Sequence, residues 1–127
     1  MGAYYECTAS IHVTVPKLGR EAVCKWMTTN IGSLFVQYNF IENTDDFEVE
    51  YSGEKVKRGK PSAIRADLVM NELSLRADSD EEGDAILLEL KNKIVKKLKS
   101  IHAKGTVNLY GNFNEKEPDI SVYEEIQ

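Results

Sequence analysis

From Tyr4 to Val15 the chain alternates without a slip. Tyr5, Cys7, Ala9, Ile11, Val13 and Val15 fall on one side; Glu6, Thr8, Ser10, His12 and Thr14 fall on the other. Successive strand residues point to opposite faces, so this period of two describes a long strand with one dry side and one wet side. A dry sheet face has to be covered, and the rest of the chain must supply the cover. Pro16, which has no amide to donate, is expected to end the strand.

Two stretches carry the helical period. Leu87, Leu90, Ile94, Leu98 and Ile101 form an apolar stripe, which predicts a helix from Asp80 to Lys104 that lays this stripe on the sheet and leaves its lysines in water. Ser79 and Glu82 stand at capping-box spacing and Gly105 is placed to end the helix. Acids crowd its start and lysines its end, as the helix dipole favours. A shorter stripe, Leu18, Ala22, Trp26 (or Val23 and Met27) and Ile31, predicts a first helix that stops at Gly32.

The remaining segments read as strands and turns. Leu34, Val36, Tyr38 and Phe40 alternate, as do Phe47, Val49 and Tyr51, around a polar turn from Glu42 to Asp46; that pattern predicts a β-hairpin. Ser52 to Ser62 is expected to be a loop. The apolar phase slips between Met70 and Leu73, which predicts either a bulge near Asn71 and Glu72 within Ala63 to Ala77 or a short turn that makes two strands of this segment. Thr106 to Phe113 reads as a strand, Glu115 to Asp119 as an acidic turn, and Ile120 to Val122 as a short edge strand. The expected architecture is one α+β domain over residues 1–127. It has a mostly antiparallel sheet, two helices on one face and the order β-α-β-β-β-α-β(β).

At 127 residues with 42% apolar composition, the chain is long enough to bury a core without disulfides or metals. Its longest apolar run is Ala85 to Leu88, far short of a membrane span, and Met1 to Thr8 has no signal-peptide character. Two isolated cysteines, Cys7 and Cys24, suit a reducing compartment, and a cytoplasmic protein is expected. A formal net charge of -5 argues against a global attraction to nucleic acid or anionic lipid.

The residue types that carry chemistry are scattered. His12 is expected on the polar face of the first strand and His102 in the last turn of the long helix, neither within a zinc-binding or acid–base motif. Asp45, Asp46 and Glu48 lack the spacing of a calcium loop. Gly53 to Ser62 approaches a phosphate loop, but five residues separate Gly53 from Gly59 where the motif needs four, and Pro61 replaces the hydroxyl that binds magnesium. No catalytic residue, metal or cofactor is expected, and the chain is read as a non-enzyme.

Charge is unevenly placed. Lys55, Lys57, Arg58, Lys60 and Arg65 fall in an acid-free stretch, and Lys91, Lys93, Lys96, Lys97, Lys99 and Lys104 follow on the long helix. Lys55, Lys57, Arg58, Lys60, Arg65, Lys93, Lys96, Lys97 and Lys104 are the candidate partner- or phosphate-binding residues. Leu75 to Ile86, followed by the lysine-rich helix, resembles the last strand and helix of ribosome hibernation factors. Those are small β-α-β-β-β-α domains, and the resemblance implies binding to ribosomal RNA. It spans about thirty residues, and the net acidity and the segment from Thr106 onward depart from it.

The reading ranked first is a protein-binding domain, an inhibitor or adaptor acting through its charged surface or an edge strand. An RNA-binding domain using residues 55–65 and 91–104 stands second. An enzyme or small-ligand binder whose site is assembled from distant residues stands third. The exposed strand edges also admit homodimerisation.

Overall fold

The computed structural model describes residues 3–113 and 117–127. β1 (Ala3–Pro16) is followed by a helical arm made of α1 (Arg20–Met27), a π turn (Thr28–Gly32) and α2 (Ser33–Gln37). A 3-10 turn (Thr44–Asp46) leads to β2 (Glu50–Lys57) and β3 (Lys60–Ala77), then α3 (Asp80–Ser100), β4 (Lys104–Asn112) and β5 (Ile120–Ile126). The strands form one antiparallel sheet in the order β2-β3-β1-β4-β5. Without β5, the connectivity is that of a split β-α-β unit, with β1 central. The chain is therefore α+β, with its helices on one face of the sheet.

The alternation in β1 decides which face that is. Tyr5, Cys7, Ala9, Ile11, Val13 and Val15 are at most 3% exposed, and they meet Val23, Met27, Ile31 and Phe35 of the helical arm and Leu87, Leu90, Ile94 and Leu98 of α3 in one continuous core. Each Val, Leu, Ile, Met and Phe side chain among them contributes roughly 1.5–3 kcal/mol by leaving water. No helix covers the other face among the described residues. Tyr4, Thr8, Ser10, His12, Arg65, Asp67, Val69, Asn108, Tyr110 and Tyr123 occupy it at exposed or partly buried positions.

The phase slip in β3 is a bulge. Cys7 pairs with Leu73 but Ala9 with Met70, so one extra residue is taken up there, and Glu72 adopts φ 60°. Both halves of β3 can then point Ile64, Leu68, Leu73 and Leu75 at the core.

Several expectations fail. The first helix does not stop at Gly32, whose φ of -55° is helical; its bare backbone lets the Phe47 ring approach, and the arm runs on to Gln37. The hairpin expected around Glu42 to Asp46 is absent, because Leu34 and Phe35 are both buried on a helix. Two strands rather than three thus lie between the arm and α3, which departs from the order in hibernation factors. The expected loop from Ser52 to Ser62 is instead the β2–β3 hairpin. β2 buries almost nothing, so it carries no apolar signal and holds its form by pairing with β3.

A further failure is the end of α3, which stops at Ser100 rather than Lys104. His102 takes φ 61°, its N–H donates to the Lys99 carbonyl at 3.0 Å, and the Ala103 N–H donates to the Leu98 carbonyl at 3.1 Å. That is the left-handed helix ending usually given to glycine. At the other end Ser79 caps the Glu82 amide as expected, while the Glu82 carboxylate accepts from the Asp78 N–H. The lysines of α3 are not all in water: Lys91 is 7% exposed and donates to Glu124 of β5 at 2.8 Å. β5 is a full strand to Ile126, longer than expected. The acidic turn expected from Glu115 to Asp119 lies partly outside the described residues.

Candidate functional site

Three connections converge at one end of the sheet. β1 finishes at Pro16, opposite Ala63 of β3. The β2–β3 hairpin turns at Arg58 and Gly59, between the paired Lys57 and Lys60. The ending of α3 at His102 then delivers Lys104 opposite Thr14 of β1.

Lys57, Arg58 and Lys60 line a concavity of about 500 Å³ together with Pro16, Lys17, Pro61 and Ser62, and no acid is among these residues. Pro16 and Lys17 also border a second hollow of about 390 Å³, completed by Leu18, Ile101 and His102. One hollow is rimmed by cations and the other largely by hydrocarbon, and they share a wall. Repulsion among the four cations of the first hollow is relieved when an anion enters.

The backbone here is strained in a particular way. Lys17 (φ 61°), Arg58 (φ 54°) and His102 (φ 61°) are three of five described non-glycine residues with positive φ. An L side chain in the left-handed region costs roughly 1–2 kcal/mol. Each case has a local cause. Arg58 and Gly59 (φ 75°) form a two-residue turn whose twist matches the strands it joins. The Lys17 N–H donates to the Ser62 carbonyl at 2.9 Å, which ties the chain leaving β1 to β3. His102 ends α3. Glycine or asparagine would satisfy all three turns at lower cost, yet each position holds a basic or titratable side chain.

The other sequence candidates disperse. Lys104 lies at the same end of the sheet, exposed. Lys55 is exposed on β2 opposite Ala63, outside the concavity. Arg65 is on the open face, where its Nε donates to both Asp67 oxygens at 2.9 and 3.1 Å. Lys93, Lys96 and Lys97 line a separate hollow with Leu34 and Ser100 on the flank of α3. The basic loop and the lysines on the flank of α3 thus line separate hollows. Lys17 and Leu18 were not among the sequence candidates, since nothing in a Pro-Lys-Leu-Gly run marks the lysine as left-handed.

Of the two sheet edges, β2 is blunted by two register shifts, Gly53 at φ 61° and its lysines. β5 keeps a more regular edge, where the Ser121 N–H donates to Asp84 at 3.0 Å. Among the described residues, no cluster of three His, Cys, Asp or Glu is placed to hold a metal ion, and no helix is long and apolar enough to cross a membrane. No protein-family model, curated protein or solved structure matches this chain.

Proposed function

We propose that this chain is a protein-binding domain that grips an acidic segment of a partner protein, seating an apolar anchor beside the acidic side chains. The observation that carries the reading is the pairing of hollows at the end of the sheet. Lys17, Lys57, Arg58 and Lys60 rim one, and Pro16, Leu18 and Ile101 line its neighbour. A phosphodiester backbone needs the cations but has no use for the hydrocarbon pocket, whereas a peptide segment fills both. The acidic remainder of the chain also repels a long polyanion, while a short acidic segment meets only the cleft. Retention of cations at strained backbone positions supports the same reading, because such strain persists where function offsets it. Two free thiols, buried Cys7 and exposed Cys24, accord with a cytoplasmic setting.

The test is affinity capture from native lysate with the wild-type chain and with the combined Lys57→Glu, Arg58→Glu and Lys60→Glu variant. Wild type is expected to retain one protein at fixed stoichiometry, less as salt rises, with nuclease treatment making no difference. The reversal should weaken that capture more than about tenfold, or 1.4 kcal/mol. Capture that survives the reversal ends this reading. Capture that nuclease abolishes replaces it with RNA binding.

A further inference from the structure

On the open face of the sheet, away from the cleft, three side chains from β1 and β3 form a line. The Ser10 Oγ lies 2.9 Å from the His12 Nε2, and the His12 Nδ1 lies 2.7 Å from the Asp67 Oδ1. Ser10 and His12 are two residues apart and therefore share the wet face of β1. Asp67 is 55 residues further along the chain and is placed opposite His12 by the β1–β3 register. The order of groups is hydroxyl, imidazole, carboxylate, at the separations a serine nucleophile needs from its base and the base from its orienting group.

The proton positions follow from the charges. Partial burial raises the Asp67 pKa, but the hydrogen bonds from Arg65 and His12 outweigh it and hold the carboxyl below its ordinary range. Asp67 is thus an acceptor only, so the His12 Nδ1 must carry the proton it shares with Asp67. In neutral His12 the Nε2 then presents a lone pair, and the Ser10 hydroxyl donates to it. That is the tautomer a general base requires, and Arg65 locks it by occupying both Asp67 oxygens.

We propose that Ser10 is an acylable nucleophile and that the open face hydrolyses small activated carboxylic esters. Ser10 Oγ attacks the carbonyl carbon as its proton passes to the His12 Nε2. The bond to the leaving alcohol then breaks, and the alcohol departs with that proton. Water attacks the Ser10 ester, gives its proton to His12, and releases the acid as Ser10 recovers its hydrogen. Beside this line lies a hollow of about 480 Å³, lined by His12, Glu48, Glu50, Arg65, Asp67 and Val69. With Arg65 already paired to Asp67, Glu48 and Glu50 leave it net negative, so a neutral or cationic ester enters and an anionic one is turned away.

Oxyanion stabilisation is the limiting feature. Ser10 is paired on both sides, to Val69 and to Asn108, so β1 offers no turn of free amides of the kind that hydrolases use. Asn108 stands directly opposite Ser10 on β4, and only its Nδ2 could donate to an oxyanion. The expected gain over an unassisted hydroxyl is that of a positioned base, about 10²–10⁴-fold.

The proposal is independent of the cleft and is tested without it. The reagents are p-nitrophenyl acetate, with nitrophenolate release followed, and an alkyl fluorophosphonate, whose serine adduct does not turn over. Release by wild type should exceed that of Ser10→Ala and His12→Gln by about 100-fold or more, with unchanged circular dichroism in both variants. The phosphonyl group should map to Ser10. If Ser10→Ala releases nitrophenolate as fast as wild type, the signal belongs to the surface lysines or Cys24 and the proposal falls. It falls equally if the phosphonyl adduct maps elsewhere or does not form.

Discussion

Arg58 and His102 each hold a left-handed backbone that their side chains oppose, and each sits at the rim of the proposed cleft. If the strain is kept for binding, removing it should separate stability from function. Arg58→Asn and His102→Gly keep both turns while relieving the steric conflict, so each is expected to stabilise the chain by about 1 kcal/mol. Arg58→Asn should at the same time weaken partner capture. Chemical denaturation of the variants beside the capture assay measures both effects. Arg58→Asn gaining stability while keeping full capture would mean that the strained arginine serves nothing at this end of the molecule. The ending of α2 offers an internal comparison. Asn39 fills the left-handed position there (φ 63°), the Phe40 N–H donates to the Phe35 carbonyl at 2.9 Å, and the two rings pack at 6.1 Å. The same motif is thus built with a tolerant residue at the end of α2, outside the lining of the proposed cleft.

At the scale of elements, the segment around Phe35 shows what sequence could and could not say. Leu34, Val36, Tyr38 and Phe40 fit a period of two, but Val23, Met27, Ile31 and Phe35 fit a period near four equally well. Periodicity alone does not arbitrate between them. Packing does: Phe35 is fully buried between the arm and the sheet while Val36 is only partly so. Phe35→Ala is therefore expected to cost about 3–5 kcal/mol and Val36→Ala no more than about 1.5. A strand with Val36 inward would reverse that order, and urea denaturation of the two variants decides it. Elements with a single strong period, β1 and the body of α3, were legible with small errors at their ends, and the phase slip in β3 was legible as a bulge or a turn, between which only the strand pairing decides. β2 was not, since a strand stabilised only by its neighbour leaves no hydrophobic trace. The Ser10–His12–Asp67 line was invisible for a related reason: its third member arrives through strand register, which no local spacing encodes.

Across the whole molecule, charge is sorted along the strands. α3 runs from an acidic start, with Asp80, Glu81 and Glu82 in its first turn, to an end carrying Lys97 and Lys99. The basic cleft lies at that second end, and Asp119 stands near the first. Tyr5, at the acidic end, feels the sorting directly. Its hydroxyl bonds to Asp80, and that bond, then burial, then the nearby charges of Asp80, Asp119 and Asp84 raise its pKa from 10.0 to about 12. The folded chain therefore keeps a proton between pH 10 and 12 that the unfolded chain has given up. Such a raised pKa contributes stability in full below 10 and loses it as pH climbs through 12. The buried Cys7 thiol, pushed up from 9.0 to about 11, adds a loss of the same sign, so the wild-type slope alone is ambiguous. Tyr5→Phe resolves it, because the variant keeps Cys7 and has no phenol to ionise. Its stability should be lower than wild type at neutral pH, where Asp80 has lost its donor, and should fall less steeply from pH 10 to 12. Raising ionic strength should shrink the part of the difference that comes from Asp119 and Asp84, which act through space, and leave the Asp80 bond largely intact. Urea titrations under a reductant across that range measure both slopes. Parallel curves for Tyr5→Phe and wild type would show that the acidic end does not act on this tyrosine.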